Sequence, residues 1–307
     1  LRGALEHLAN WPGEGERLAV TRELERPQSK LIPWTQRLQD APWWALILIF
    51  LGVLFVYLIF TSPTYQDAFI FLIAGVKFTI FITLTSFLIS LVLGLVTGWA
   101  RVSKNIFAYT IATIYVEVVR GIPLLVQLIY VAFVLVPMGV QMLNGLGGFI
   151  TQHIAWAPLV NLALFLKGIN IQSVDMSTRA IVGLAFGYGA YEAEVFRAGI
   201  ESIAKGQMEA ARSLGMSYFQ AMRYIILPQA IRRVLPPLGN DFIAMLKDSS
   251  LCSALAVREL TQLGKLNRAR TFRTFETWNT VTFIYLLMTI CLSMLVKFIE
   301  RRMSFEE

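Results

Sequence analysis

Charge is what this sequence has little of. Only 15% of its 307 residues are Asp, Glu, Lys or Arg, against 56% hydrophobic, and the mean hydropathy is +0.60. A soluble domain carries about 25% charged residues, so a soluble globule is excluded as the main architecture. Cysteine is nearly absent. Cys252 and Cys291 fall in or beside apolar runs, which gives neither a disulfide framework nor metal-ligand spacing. His7 and His153 are the two histidines and lie far apart, so no metal site is expected. There is no G-x4-GK[ST] loop to cradle a nucleotide phosphate. A nucleophile–histidine pair, an HExxH helix and a metal cluster are also missing, which leaves no enzyme chemistry to assign.

What is present is a series of long apolar runs. Residues 43–60 contain no charge and are long enough to span a bilayer, with Trp43 and Trp44 as interfacial anchors and Pro63 just beyond. Further spans are expected at residues 69–99, 106–137, 180–203, 235–255 and 278–299. Arg120-Gly121-Ile122-Pro123 predicts a break in the third. Lys77 in the second can snorkel toward one face. Residues 138–178, rich in Gly, Asn and Pro, read as an irregular outer insertion with one short helix near 159–166. Residues 1–42 hold six basic and six acidic residues and read as a cytoplasmic extension, too polar for a signal peptide. The chain begins at Leu1 rather than Met, consistent with a trimmed N-terminus.

The net charge of +7 sits mainly at the ends of the apolar runs, not in one stripe with exposed aromatics, so membrane topology explains it better than nucleic-acid binding. Arg101 and Lys104, and later Lys205, Arg212, Arg223, Arg232 and Arg233, mark cytoplasmic loops. Six spans then put both termini in the cytoplasm. Residues 257–276 disagree, because alternation places Arg258, Lys265, Arg268, Arg270 and Arg273 outside. The stretch 257–271 is amphipathic and is expected along the outer interface. Gly94 and Gly98, and Gly183 and Gly187, read as small-residue packing faces.

The most informative segment lies between the fourth and fifth spans. It reads Glu209-Ala210-Ala211, three residues, Gly215, nine residues, then Ile225, one residue, Leu227-Pro228. The alanines give a slim helix surface that another protein can approach. Gly215 supplies the positive φ that ends a short helix. Tyr218, Phe219 and Met222 give a second helix an apolar face, and Leu227-Pro228 starts the next span.

This spacing resembles the EAA loop of permeases of ATP-binding-cassette importers, and every fixed position is matched. Arg120-Gly121-Ile122-Pro123 with Gln127 resembles the RGTP-x3-Q segment of polar amino-acid permeases of the histidine/glutamine type. Ala190-Tyr191, Glu194, Arg197-Ala198-Gly199-Ile200 resembles that family's AY-x2-E-x2-RGGI, with Ala198 for a glycine. Leu235-Pro236-Pro237-Leu238-Gly239-Asn240-Asp241-Phe242 resembles LPPLGNEF, with Asp241 for Glu. The likeness covers roughly residues 70–300.

The resemblance implies an all-α, polytopic bundle of the type I importer class, a five-helix core plus one extra N-terminal transmembrane helix. The implied divisions are an extension 1–42, the extra helix 43–61, and a permease domain 69–300 with an outer insertion 138–178 and a coupling loop 204–228. It implies uptake of polar amino acids across the bacterial inner membrane. Partners would be a second permease chain (a different chain slightly favoured over a copy), two ATPase subunits carrying ATP and Mg, an extracytoplasmic amino-acid-binding protein and lipid. Coupling to the ATPase would fall to Glu209, Ala210, Ala211, Leu214, Gly215 and Met216, although Glu209 also fits plain helix-terminus charge complementarity.

The substrate path is expected to be lined by intramembrane polar groups, which are costly toward lipid. Glu194 leads; it can receive a substrate ammonium or pair with Arg197, since Glu194, Arg197 and Glu201 share a helix face. Glu192, about 200° around from Glu194, cannot face the path with it. Gln127, past the break, suits a zwitterion or an inter-helix hydrogen bond. Tyr191 joins them. Thr79 and Thr83 share a face, although back-bonding to their own helix is commoner. Asp241 is expected to pair with Lys247 or Arg120 or to support a gate, and Glu117 with Arg120 reads as a structural pair. The rival class, an ATP-independent secondary transporter or channel, explains the spans but not the EAA spacing.

Overall fold

The computed structural model describes residues 43–153 and 156–303. The extension 1–42 and the Trp44 side chain lie outside the described residues. Compactness divides the chain into residues 1–54 and 55–307. Among the described residues every regular element is helical.

α1 (Trp43–Thr61) carries no charged residue, and residues 43–54 of it belong to the first unit. It ends where Ser62 takes an extended conformation and Pro63 opens α2 (Pro63–Val102) at its first turn, where a missing N–H costs nothing. Asn105 caps α3 (Ile106–Arg120), its Oδ1 accepting from the Phe107 and Ala108 amides at 3.0 and 3.3 Å. The break expected at Gly121–Pro123 is present: α3 stops at Arg120 and α4 (Leu124–Tyr130) begins after Pro123.

From α4 the helix continues through a π turn at Val131–Leu135 into α5 (Val136–His153). This differs from the irregular insertion expected over 138–178. Together with α6 (Ala157–Lys167) most of that stretch is helical. The glycines misled because one of them is an interface, not a loop: a Cβ on Gly147 would meet the Ala163 carbonyl of α6 at 2.5 Å. The π turn has a partner of its own, since the Ala132 carbonyl accepts from Arg179 Nη1 at 3.3 Å.

α7 (Met176–Glu201) follows, then α8 (Lys205–Ser213), α9 (Tyr218–Ala221), a π turn Met222–Ile226, α10 (Leu227–Asp248), a 3-10 stretch Ser249–Leu255, α11 (Leu260–Thr271) and α12 (Thr274–Met303). α2 and α7 form the central pair and run parallel. A Cβ on Gly94 would meet Glu192, and one on Gly98 would meet Phe196, so contacts advance in the same direction on both helices. Along α2 the residues facing α7 step by four, Ile82, Ser86, Ser90, Gly94 and Gly98, and Ser86 and Ser90 are fully buried. Small residues let the backbones close, which in lipid is how helices gain dispersion energy.

Among the described residues three helices are long and apolar enough to cross a membrane, Pro63–Val102, Leu124–His153 and Thr274–Arg302. Six were expected. α3 is only 15 residues, and α7 and α10 carry the charges of the site. Of the α12 apolar window 11% is buried within the chain, against 33% for α2, so α12 is the more exposed of the two helices.

Because α2 and α7 are parallel, their C-termini share one end of the bundle with α8. The other end holds α11: the Leu260 amide donates to Thr79 Oγ1 at 3.1 Å, and Arg273 pairs with Asp67 near the start of α2 at 3.5 Å. The basic stretch 257–276 therefore lies in the half of the bundle opposite α8, as alternation of the spans requires. Leu260, however, packs on Gly75 and Thr79 near the middle of α2 and not along an interface as expected.

Candidate functional site

α3, α7 and α10 enclose an open cavity of about 420 Å³, lined by Arg120, Tyr191, Glu194, Arg233 and Asp241 among others. The break after α3 places Arg120 at a helix end, free to reach across: its guanidinium carbon stands 5.6 Å from the Tyr191 ring centroid. Asp241 presents a buried Oδ2 with no hydrogen-bond partner. Among the described residues no ion pair joins it to Lys247 or Arg120, the two partners expected.

Glu194 is the hub of a chain of charges. Arg101 Nη1 donates to its Oε2 at 2.5 Å, and Arg197 donates to both of its oxygens. Arg197 continues to Glu201, and Arg101 to Glu117 at 3.5 Å. Carboxylates and guanidinium groups thus alternate from α3 through α2 to α7. Glu194 stays 27% exposed in its side chain, on the cavity. It makes the ion pair expected with Arg197, and it also lines the cavity.

The cavity brings together three of the six expected path residues, Tyr191, Glu194 and Asp241. Gln127 serves the break instead. Its Nε2 donates to the carbonyls of Val119 at 2.7 Å and Ile122 at 2.6 Å, at the end of the interrupted helix, where carbonyls lose their regular partners. Thr83 back-bonds to the Thr79 carbonyl at 2.8 Å, and Thr79 is fully buried under Leu260. Neither threonine lines this cavity.

One participant was not foreseen, and Glu192 lies off the cavity as its offset of about 200° from Glu194 requires. Arg101 read only as a loop marker, because nothing local to residue 101 points to Glu194. Glu192 is fully buried on the opposite face of α7, where its Oε1 accepts from Ser90 at 2.8 Å. The four-residue ladder of small residues on α2 was the available signal for that contact.

A second feature stands at the α8 end of the bundle. α8 ends in a Schellman closure: Gly215 has φ +84, its amide donates to the Arg212 carbonyl at 3.0 Å, and the Met216 amide donates to the Ala211 carbonyl at 3.1 Å. Ser217 then caps the next helix reciprocally with Gln220. From Tyr218 to Asp248 the helix is unbroken, so α9 is the first turn of α10. Ile203, Ile226 and Ala230 root α8 through Met208 and Met222. Ala211 is buried, whereas Glu209, Ala210 and Gly215 are exposed and Leu214 is 84% exposed. Met216 is half-buried.

Residues 90–305 match the sequence profile of the family described as binding-protein-dependent transport system inner membrane component. The glutamine transport system permease protein GlnP of Escherichia coli (strain K12) is 36% identical over 233 residues, 76% of this chain and 93% of that protein. The L-cystine transport system permease protein TcyB of Bacillus subtilis (strain 168) is 32% identical over 234 residues, 75% and 85% of the two chains. Among solved structures, one described as an amino acid ABC transporter with histidines aligns with a TM-score of 0.60 at 34% identity, covering 81% of this chain and 98% of that one. The MetNI methionine ABC transporter in an inward-facing conformation, at 20% identity, TM-score 0.55 and 76% and 96% coverage, shares the fold.

Proposed function

The chain belongs to the family of binding-protein-dependent transport system inner membrane components, and from that premise we propose that it is the permease subunit of an ATP-driven importer of polar amino acids. One observation carries the reading: an exposed helix, α8, is fixed by its Gly215 closure to an unbroken helix that reaches Asp241 in the cavity wall. A push on α8 is thereby a displacement of the cavity.

The pushing partner is an ATPase pair that binds ATP and Mg, docked on Glu209, Ala210, Ala211, Leu214, Gly215 and Met216. The exposed apolar Leu214 beside Glu209 suits a cleft of mixed character. The α8 end faces the cytoplasm, supported by Arg101, Lys104, Lys205, Arg212 and Arg223 at that end, and both termini lie on the same side. A binding protein delivers the amino acid to the opposite end. The relative GlnP is covered over 93% of its length by only 76% of this chain; the extra length here supports pairing with a second, different permease chain.

In the cavity the amino acid meets charge of both signs. Glu194 and the unpartnered oxygen of Asp241 suit its ammonium, and Arg120, braced on Tyr191, suits its carboxylate. The test is uptake of a panel of labelled amino acids by the reconstituted complex, with Glu194→Gln beside wild type. Loss of this charge, on a half-buried side chain, is expected to lower uptake about tenfold. Unchanged uptake of every amino acid would remove Glu194 from the path, and uptake that persists without ATP would overturn the function itself.

A further inference from the structure

Five basic residues, Arg258, Lys265, Arg268, Arg270 and Arg273, gather at the bundle end opposite α8, against only two acidic residues in the same stretch. The positive-inside bias disfavours such a cluster there. Some of it is structural: Lys265 Nζ donates to Ser253 Oγ at 2.9 Å. The arginines at the end of α11 are not used up in this way. Arg270 lies 4.5 Å over the Phe71 ring, with one Nη2 bond to Asn267 at 2.9 Å, and Arg273 makes a 3.5 Å contact with the exposed carboxylate of Asp67. Both arginines line an open cavity of about 490 Å³ with Asp67, Phe71 and Thr271.

Phe272 and Phe275 lie close in sequence to the cavity-lining Thr271 and Arg273. Phe272 closes α11 in a left-handed backbone, φ +58, with its amide donating to the Arg268 carbonyl at 2.8 Å. It is 87% exposed and Phe275 is 77% exposed. Depth follows from helix length. α2 has 40 residues; centred on the bilayer, it leaves the hydrocarbon about ten residues either side of its midpoint. Phe71 then falls in the headgroup layer, and Asp67 at its outer edge. Exposed rings at that depth meet acyl chains and glycerol, while the guanidinium groups meet headgroups.

We propose that this cavity binds the phosphodiester of an anionic phospholipid, held by Arg270 and Arg273, with Phe272 and Phe275 against its glycerol and upper acyl chains. Arg270 is pre-oriented by its stack on Phe71, and Arg273 retains donors that Asp67 does not fill. The site is distinct from the amino-acid cavity and rests on the chain spanning a membrane with its α8 end in the cytoplasm, as proposed above, not on what it carries. It accounts for basic residues on a face where they are otherwise costly, because a bound lipid neutralises them.

Native mass spectrometry of the delipidated permease–ATPase complex tests this, with phosphatidylglycerol and phosphatidylcholine of matched acyl chains added in turn. Wild type is expected to retain phosphatidylglycerol preferentially, and R270Q/R273Q to lose about 25-fold of that retention, since each of the two basic residues contributes about fivefold near an anionic surface. Phosphatidylcholine retention stays level. Asp67→Asn keeps both arginines and removes the competing carboxylate, so it raises phosphatidylglycerol retention and decides the matter if the double variant does not assemble. Equal retention of the two lipids by wild type overturns the proposal, as does a preference untouched by the variants. Displacement of phosphatidylglycerol by millimolar inorganic phosphate would make the ligand a free anion. Intact lipid retention with weakened binding-protein stimulation in R270Q/R273Q would make the patch a protein contact. Either result overturns the lipid assignment.

Discussion

A methyl group built on Gly94 would stand 2.7 Å from the Glu192 Cβ and 3.1 Å from the Ala193 amide nitrogen. Both neighbours belong to the rigid wall of α7, so neither can swing aside. Gly94→Ala is therefore expected to force α2 and α7 apart at their tightest contact and to stretch the Ser90–Glu192 hydrogen bond. The cost of such overpacking is about 1–3 kcal/mol. Gly139→Ala, where the new carbon meets nothing within 4 Å, is the control. Thermal unfolding of the two purified variants checks the difference; equal midpoints would mean that the helix seam is looser than described.

Gln127 bonds two carbonyls at the α3–α4 break. Gln127→Leu keeps the volume and deletes both donors, leaving the Val119 and Ile122 carbonyls without them. An unmet buried polar group costs about 1–3 kcal/mol. The expected result is a destabilised permease with altered uptake, because the break also sets where Arg120 points. Gln127→Glu supplies acceptors where donors are needed and is expected to behave no better. Wild-type thermal stability in Gln127→Leu would show that other groups or water satisfy the break.

The Gly215 φ of +84 is open to glycine and hostile to a β-branched side chain. Gly215→Val is expected to cost about 1–2 kcal/mol locally and to unwind the Schellman closure while the spans persist. Binding-protein-stimulated ATP hydrolysis by the complex falls, while helical content by circular dichroism is retained. Gly215→Asn, which tolerates the left-handed region better, is expected to lie between. Full stimulation in Gly215→Val would separate the closure from coupling.

The legible parts of this chain were those governed by local chemistry. Proline and glycine at 121–123 fixed a break, Gly215 a helix end, and the Glu194–Arg197–Glu201 spacing one charged helix face. The parts that escaped depend on partners distant in sequence. Arg101 meets Glu194 only because α2 and α7 run parallel. Gly147 looks like loop punctuation until α6 packs against it. Asp241 was expected to pair with Lys247 or Arg120 or to support a gate, and its Oδ2 makes no hydrogen bond. In each case tertiary contact outweighed local propensity.

The most direct measurement is a cross-link from the exposed α8 surface. Cys252 is buried and Cys291 exposed, so Ala210→Cys in a Cys291→Ser background offers one accessible thiol at the proposed docking face. With a short bifunctional reagent and the co-expressed ATPase, the account predicts a permease–ATPase adduct from position 210 and from Leu214→Cys, and none from Gly139→Cys. Adducts absent from 210 and 214 while the complex remains assembled and active would contradict it.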